Sequence, residues 1–176
     1  MWAIRFESCK PDGRMRTLHV VLVGLAVLAA CASEGQTPSA SSEDQVLQLG
    51  RRVFQNYCAT CHQPNGQGVP GIYPPLTPNE WVQGDKGRLI RLVLHGAQGE
   101  MKVGEEVYNN VMTAHDFLTD EQIAAVLTFI RQNFGNQADP VTPEEVAAVR
   151  AASRRQGPWD PAVLWEQTGI PKASGD

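Results

Sequence analysis

The pentapeptide Cys58-Ala59-Thr60-Cys61-His62 constrains this chain more than any other feature. Four cysteines occur in 176 residues, and Cys58 and Cys61 are the one close pair. Two thiols three positions apart, with an imidazole directly after the second, point to attachment of a c-type haem. The thiols add across two vinyl groups on one edge of a porphyrin, and the adjacent imidazole becomes the proximal iron ligand. A dithiol of thioredoxin type shares the cysteine spacing but belongs on a βαβ background, which this sequence lacks. A zinc site would need two further ligands at suitable spacing, for which His95 and His115 are the candidates besides His62. A haem also supplies apolar core that so small a domain cannot build alone.

The formal net charge of −4 comes without the clustered Lys and Arg that a nucleic-acid backbone demands, so no such partner is expected. Residues 1–31 read as a targeting segment. From Met15 the chain runs Arg16-Thr17-Leu18-His19, then an apolar stretch from Val20 to Ala30, then Cys31. A basic start, a short apolar centre and small residues at its end describe a secretory signal. The stretch falls short of the about 20 residues that a membrane span needs. Met15 is the expected start, because Arg5, Lys10 and Asp12 add polar length that signals seldom carry. Leu28-Ala29-Ala30-Cys31 resembles the lipobox of bacterial lipoproteins. That resemblance implies lipidation of Cys31, a lipid anchor in the inner or outer membrane, and a domain on the periplasmic side. Arg5, Lys10, Arg14 and Arg16 against Glu7 and Asp12 give the leader +2, leaving −6 on the remainder.

Residues 32–42, rich in Ser, Ala, Thr and Gly, read as a flexible tether. Ser42-Glu43-Asp44-Gln45 has capping-box spacing and opens a helix whose apolar face is Val46, Leu49, Val53, Phe54 and Tyr57. This helix runs into Cys58. A Gly- and Pro-rich loop follows, then a second capping box, Thr77-Pro78-Asn79-Glu80, before a short helix around Trp81. A middle helix over 85–95 carries Leu89, Leu92 and Val93, and an irregular stretch over 96–118 contains Met101, Met112 and His115. Thr119-Asp120-Glu121-Gln122 caps a last strong helix over 120–134, with Ile123, Val126, Leu127, Ile130 and Phe134 on one side. Residues 137–176 form a C-terminal extension in which Thr142-Pro143-Glu144-Glu145 opens a helix to about Ala152. Its Val146, Val149, Trp159, Leu164 and Trp165 either wrap the preceding domain or dock on a partner. No segment alternates as a strand does, so the chain reads as all-α.

In order of parts, residues 43–136 resemble a class I cytochrome c domain: a helix ending in the haem motif, a Gly-rich loop, Pro74-Pro75-Leu76, a methionine loop and a final helix. The resemblance implies that fold, wrapped around one covalent haem c and followed by a helical extension. It implies that the first and last helices cross at Gly50 and Phe54 against Phe129 and Ile130. It implies a methionine as sixth iron ligand, a soft thioether that favours Fe(II). Met112 stands where the family's ligand stands, although Val111-Met112-Thr113-Ala114 lacks the usual proline. Met101 reads as a loop packing residue, and His115 or His95 would give a bis-histidine iron instead. The Pro-x-Leu implies that the Pro74 carbonyl, with Leu76 beside it, accepts the N–H of the ligating His62. Trp81 and Arg88 are candidate partners for the haem propionates, and Tyr73 fits either role. The function implied is single-electron transfer with redox protein partners, a donor dehydrogenase or an acceptor oxidase or reductase, and not catalysis by the chain itself. If Met112 does not bind iron, the alternative is an open-site haem enzyme or gas sensor.

Overall fold

A computed structural model describes residues 41–153 and 156–168; the targeting segment, Cys31 and nearly all of the tether lie outside them. Helix α1 (Ser42–Val53) begins on Ser41. The Ser41 hydroxyl accepts the Asp44 N–H at 3.2 Å, and the Asp44 carboxylate accepts the Ser41 N–H at 3.2 Å. The reciprocal cap is thus one residue earlier than the Ser42–Gln45 reading, because Asp44 offers a charged acceptor at the right spacing. A π-helical turn (Phe54–Cys58) follows, closed by the Ala59 N–H on the Phe54 carbonyl. A final α-helical turn, α2 (Ala59–His62), completes the segment. The additional residue in the wide turn rotates the next side chains off the α1 stripe. Val53 and Phe54 are therefore buried while Tyr57 is 45 % exposed, and Cys58 packs on the core. Val46, also expected on the buried face, is 40 % exposed.

Helix α5 (Asp120–Gln132) opens on the expected Thr119–Gln122 capping box and packs on α1. At the contact is Gly50, where an added Cβ would lie 2.7 Å from the Phe129 Cβ and strike the Ala125 carbonyl. The Phe54 ring sits 5.6 Å from that of Phe129 and 5.1 Å from that of Phe134. Helix α5 stops at Gln132, two residues before the sequence reading, and Phe134 then takes a left-handed φ of 56°. Between them lie α3 (Glu80–Gln83) and α4 (Lys86–His95). The α3 cap is Asn79, not Thr77: the Asn79 side-chain oxygen accepts the N–H groups of Trp81 and Val82 at 2.9 and 3.0 Å. Asp85 caps α4 by accepting the Arg88 N–H.

The stretch over 96–118 holds an antiparallel hairpin that the sequence reading did not contain, β1 (Met101–Val103) and β2 (Glu106–Tyr108), paired Met101 to Tyr108 and Val103 to Glu106. The fold is nonetheless mostly helical, with this little strand. The Trp81 indole N–H donates to the Lys102 carbonyl at 2.7 Å and ties the hairpin to α3.

Helix α5 is buried continuously from Ile123 to Arg131, not on one side alone. Its second side is covered by the C-terminal extension. The Thr128 hydroxyl donates to the Val141 carbonyl and accepts the Val141 N–H. The buried Arg131 guanidinium donates to the carbonyls of Val82, Gly84 and Asp139. Helix α6 (Pro143–Ala152), capped by Thr142 with Glu145, packs on α4 and α5 and buries Val146 fully. Helix α7 (Pro161–Thr168) buries Leu164 fully and lays Trp165 against Trp81, rings 4.9 Å apart.

Two ion pairs fasten α6, Lys86–Glu145 at 3.0 Å and Arg150–Asp120 at 2.8 Å. Burial alone would raise the Glu145 carboxyl, but the Thr142 N–H and the Lys86 ammonium outweigh it and hold the group below its ordinary value. A depressed carboxyl stabilises the fold above its unfolded pKa, and that contribution is lost as pH falls through the folded value. Glu145→Gln is therefore expected to flatten the loss of melting temperature on acidification by the equivalent of about 0.5 kcal/mol, a half-exposed pair being well screened. Thermal melts across the acid range would measure it.

Candidate haem site

The π turn and α2 bring Cys58, Cys61 and His62 to the wall of one cavity of ≈ 350 Å³. Pro74, Leu76, Trp81 and Met112 line the same cavity, as do Tyr73, Met101 and His115. The rest of the lining is mainly aliphatic and aromatic, drawn from α4, the hairpin and α5, for example Leu89, Val93, Val103, Tyr108 and Leu127. A broad apolar slot with two thiols and an imidazole on its wall suits a flat apolar macrocycle joined at one edge. Among the described residues no group of three or more His, Cys, Asp and Glu side chains gathers in a way that could hold a metal ion by itself.

His62 Nδ1 lies 2.9 Å from the Pro74 carbonyl oxygen and donates to it. This bond fixes the proton on Nδ1 and leaves the Nε2 lone pair available to ligate a metal. The loop is shaped for it: the Gly68 N–H donates to the His62 carbonyl and the Leu76 N–H to the Gly66 carbonyl. Gly68 has a φ of 64°, and a Cβ there would lie 2.6 Å from the Pro74 carbonyl oxygen, so a side chain would push that acceptor away. Burial keeps the His62 ring neutral, lowering its pKa against the Pro74 hydrogen bond, with His115 adding in the same direction as burial. Burial, then the neighbouring Cys61, pushes the Cys58 thiol up to about 12. The attacking thiol of a cycling dithiol needs a depressed pKa, the opposite of the direction at Cys58.

Met112 exchanges both backbone hydrogen bonds with Ala97, at 2.9 and 3.0 Å, and its side chain is half-buried at the junction of the two apolar clusters. His95 does not line the cavity; its Nε2 is 2.6 Å from the Ser153 hydroxyl and its ring stands edge-on to Trp159. Trp81 lines the cavity, but its N–H is given to Lys102, so it contributes a ring wall and no donor to a propionate. Arg88 does not line the cavity at all. Its buried guanidinium lies 3.7 Å from the Trp165 ring centre and 5.1 Å from that of Trp81, and donates to the Glu80 carbonyl at 2.9 Å. The side chain expected at a propionate is instead enclosed by Trp81 and by Trp165 of the C-terminal extension.

The Cytochrome c family model matches residues 47–134, half of the chain and all of this cavity's lining except Pro161. The chain belongs to the cytochrome c family. This cytochrome is 44 % identical over 111 residues to cytochrome c-552 of Thermus thermophilus, covering 58 % of the chain and 84 % of that relative. It is 31 % identical over 116 residues to the fructose dehydrogenase cytochrome subunit of Gluconobacter japonicus, covering 60 % of the chain and 23 % of that subunit. It is 30 % identical over 108 residues to the cytochrome c subunit of a quinone alcohol dehydrogenase of Gluconobacter oxydans (strain 621H), covering 60 % of the chain and 22 % of that subunit. The cytochrome holds haem c covalently through Cys58 and Cys61.

Two parts of the cavity wall, and one residue behind it, are not foreseen from the sequence. Val103 and Tyr108 sit on the hairpin, whose signal was a two-residue Gly104-Glu105 turn between very short strands. Pro161 reaches the wall from the C-terminal extension, for which no local pattern exists. Asn136 shapes the wall from behind, its amide nitrogen donating to the carbonyls of Leu76, Ile130 and Asn133.

Proposed function

We propose that this cytochrome is a one-electron carrier in which His62 and Met112 are the two protein ligands of the haem iron. The observation that carries the reading is that one apolar cavity collects both thiols, an imidazole with its Nδ1 proton already committed, and the Met112 side chain. Haem c, when bound, supplies an Fe(III)/Fe(II) couple. His62 and Met112 would together hold the iron, which would leave no position open for a substrate and outer-sphere transfer as the chemistry. The aliphatic wall lowers the local dielectric, and the Met112 thioether favours the reduced state; both raise the potential.

The redox partners are proteins, a donor dehydrogenase or an acceptor oxidase or reductase. Two of the relatives are cytochrome subunits of dehydrogenases, which supports a dehydrogenase as donor. Cys31, as a lipidated N-terminus after signal cleavage, would hold the cytochrome on the periplasmic side of a membrane. Among the described residues no helix is long and apolar enough to cross one.

Carbon monoxide tests the carrier reading against the open-site enzyme or gas sensor. Reduced holo-protein at neutral pH is expected to leave its spectrum unchanged under carbon monoxide, while Met112→Ala binds it at once. Immediate binding by the unaltered protein would overturn the proposal.

A further inference from the structure

We infer that the C-terminal extension is a positioning element for Met112: Trp159 holds the backbone to which the ligand loop is tied, and so decides how firmly the thioether stays on iron. The inference rests on the reading of Met112 as an iron ligand.

Residues 96–98 form the middle rung of a three-part backbone ladder. On one edge, Ala97 exchanges both hydrogen bonds with Met112. On the other edge, the Trp159 N–H donates to the Gly96 carbonyl at 3.0 Å and the Gln98 N–H donates to the Trp159 carbonyl at 2.8 Å. Gly96 shows how tightly the parts are drawn together. Its φ is 73°, and a Cβ there would lie 2.9 Å from the Ala114 nitrogen and strike the Met112 carbonyl. A single residue of the extension thus anchors the segment that in turn anchors the ligand.

The surroundings fix Trp159 in place. The residue is 8 % exposed and shares an apolar cluster with Ala97, Val103, Tyr108 and Leu164, against which Met112 packs. Two residues on, Pro161 forms part of the cavity wall. A cover for the far side of α5 needs only residues 138–152; the segment from Trp159 onward reaches the methionine side of the cavity instead. The Gly96 N–H also donates to the Leu92 carbonyl and the His115 N–H to the Val93 carbonyl, both at 2.8 Å, so loss of the Trp159 hold would loosen the 96–98 segment and the Met112 loop between these two points on α4.

The test compares full-length holo-proteins. Trp159→Pro deletes the N–H given to Gly96, Trp159→Ala removes the ring that seats the segment, and Trp159→Phe keeps both backbone bonds and a ring. Val146→Ala is the control, weakening the extension at α6 without touching the ladder. Met112→Ala reports the complete loss of the ligand. The weak red thioether-to-Fe(III) band, the midpoint potential and carbon monoxide affinity are read where far-UV circular dichroism shows each protein folded. Trp159→Pro and Trp159→Ala are expected to weaken the band, lower the potential and raise carbon monoxide affinity roughly tenfold, the first by losing the one backbone hydrogen bond to Gly96 and the second by losing the ring that seats the segment. Trp159→Phe and Val146→Ala should stay at the wild-type values. The inference is overturned if both disruptive Trp159 variants retain band and potential, or if Val146→Ala loses them equally at matched loss of stability. Survival of the wild-type band in Met112→Ala is a separate result, which overturns the ligand reading and with it this inference.

Discussion

Replacement of both Cys58 and Cys61 by serine is expected to leave a chain without fixed tertiary structure, and not merely a colourless version of the same fold. The cavity on whose wall the thiols stand is bordered by both apolar clusters, from Leu89 and Val93 of one to Trp81, Leu92 and Val103 of the other. A chain denied its haem must leave that apolar wall to water or collapse inward. At about 24 cal/mol per Å³, a volume of ≈ 350 Å³ corresponds to roughly 8 kcal/mol. That is as large as the about 5–15 kcal/mol of a typical domain's whole stability. Serine keeps the size of the side chain but forms no thioether, so the substitution isolates attachment. The expected result is a negative pyridine haemochrome assay, no near-UV circular dichroism and a broad, non-cooperative melt. A sharp melt with near-UV dichroism close to that of the holo-protein would show that the polypeptide closes its core unaided.

Gly50→Ala is expected to cost about 3 kcal/mol, the upper end for an overpacked site. One methyl group on an exposed helix would help slightly, since Ala is the better helix former. Here the new Cβ meets the Ala125 carbonyl and comes 2.7 Å from the Phe129 Cβ. Because the obstacles are the Ala125 carbonyl and the Phe129 Cβ, which alanine would keep, Phe129→Ala in the same chain should not recover the loss. The helices must instead separate, which loosens Phe54 and Phe134 and the turn that carries Cys58. Denaturant unfolding of the holo-protein measures the effect. A loss below about 0.5 kcal/mol, the ordinary size for a surface change, would contradict so close an approach of α1 and α5.

What could be read from sequence was what local chemistry determines. The haem motif is legible because the vinyl spacing of a porphyrin dictates the thiol spacing. Thr119 and Thr142 announce their helices because a cap bonds residues three apart. Ser41 and Asn79 displaced the expected Ser42 and Thr77 because neighbouring side chains offered competing acceptors within a residue or two. The π turn has no sequence pattern of its own, yet it decides that Cys58 faces inward and Tyr57 outward. The hairpin strands are three residues each, too short for alternation to register. Arg88 and Trp165 illustrate what only tertiary structure supplies: 77 positions separate them in the chain, and the guanidinium that looked free for a propionate lies on that tryptophan's face. Similarly, α5 looked one-sided because the side chains that cover its back, Val141 and Val146, come from the extension.

The proposed function stands on Met112 holding the haem iron together with His62. The absorption spectrum of the oxidised holo-protein, recorded beside that of Met112→Ala, tests it most directly. The unaltered cytochrome is predicted to show the weak red thioether-to-iron charge-transfer band with a low-spin ferric spectrum, and the variant to lose the band. A high-spin spectrum without the band in the unaltered protein, or a band that persists in Met112→Ala, would contradict it.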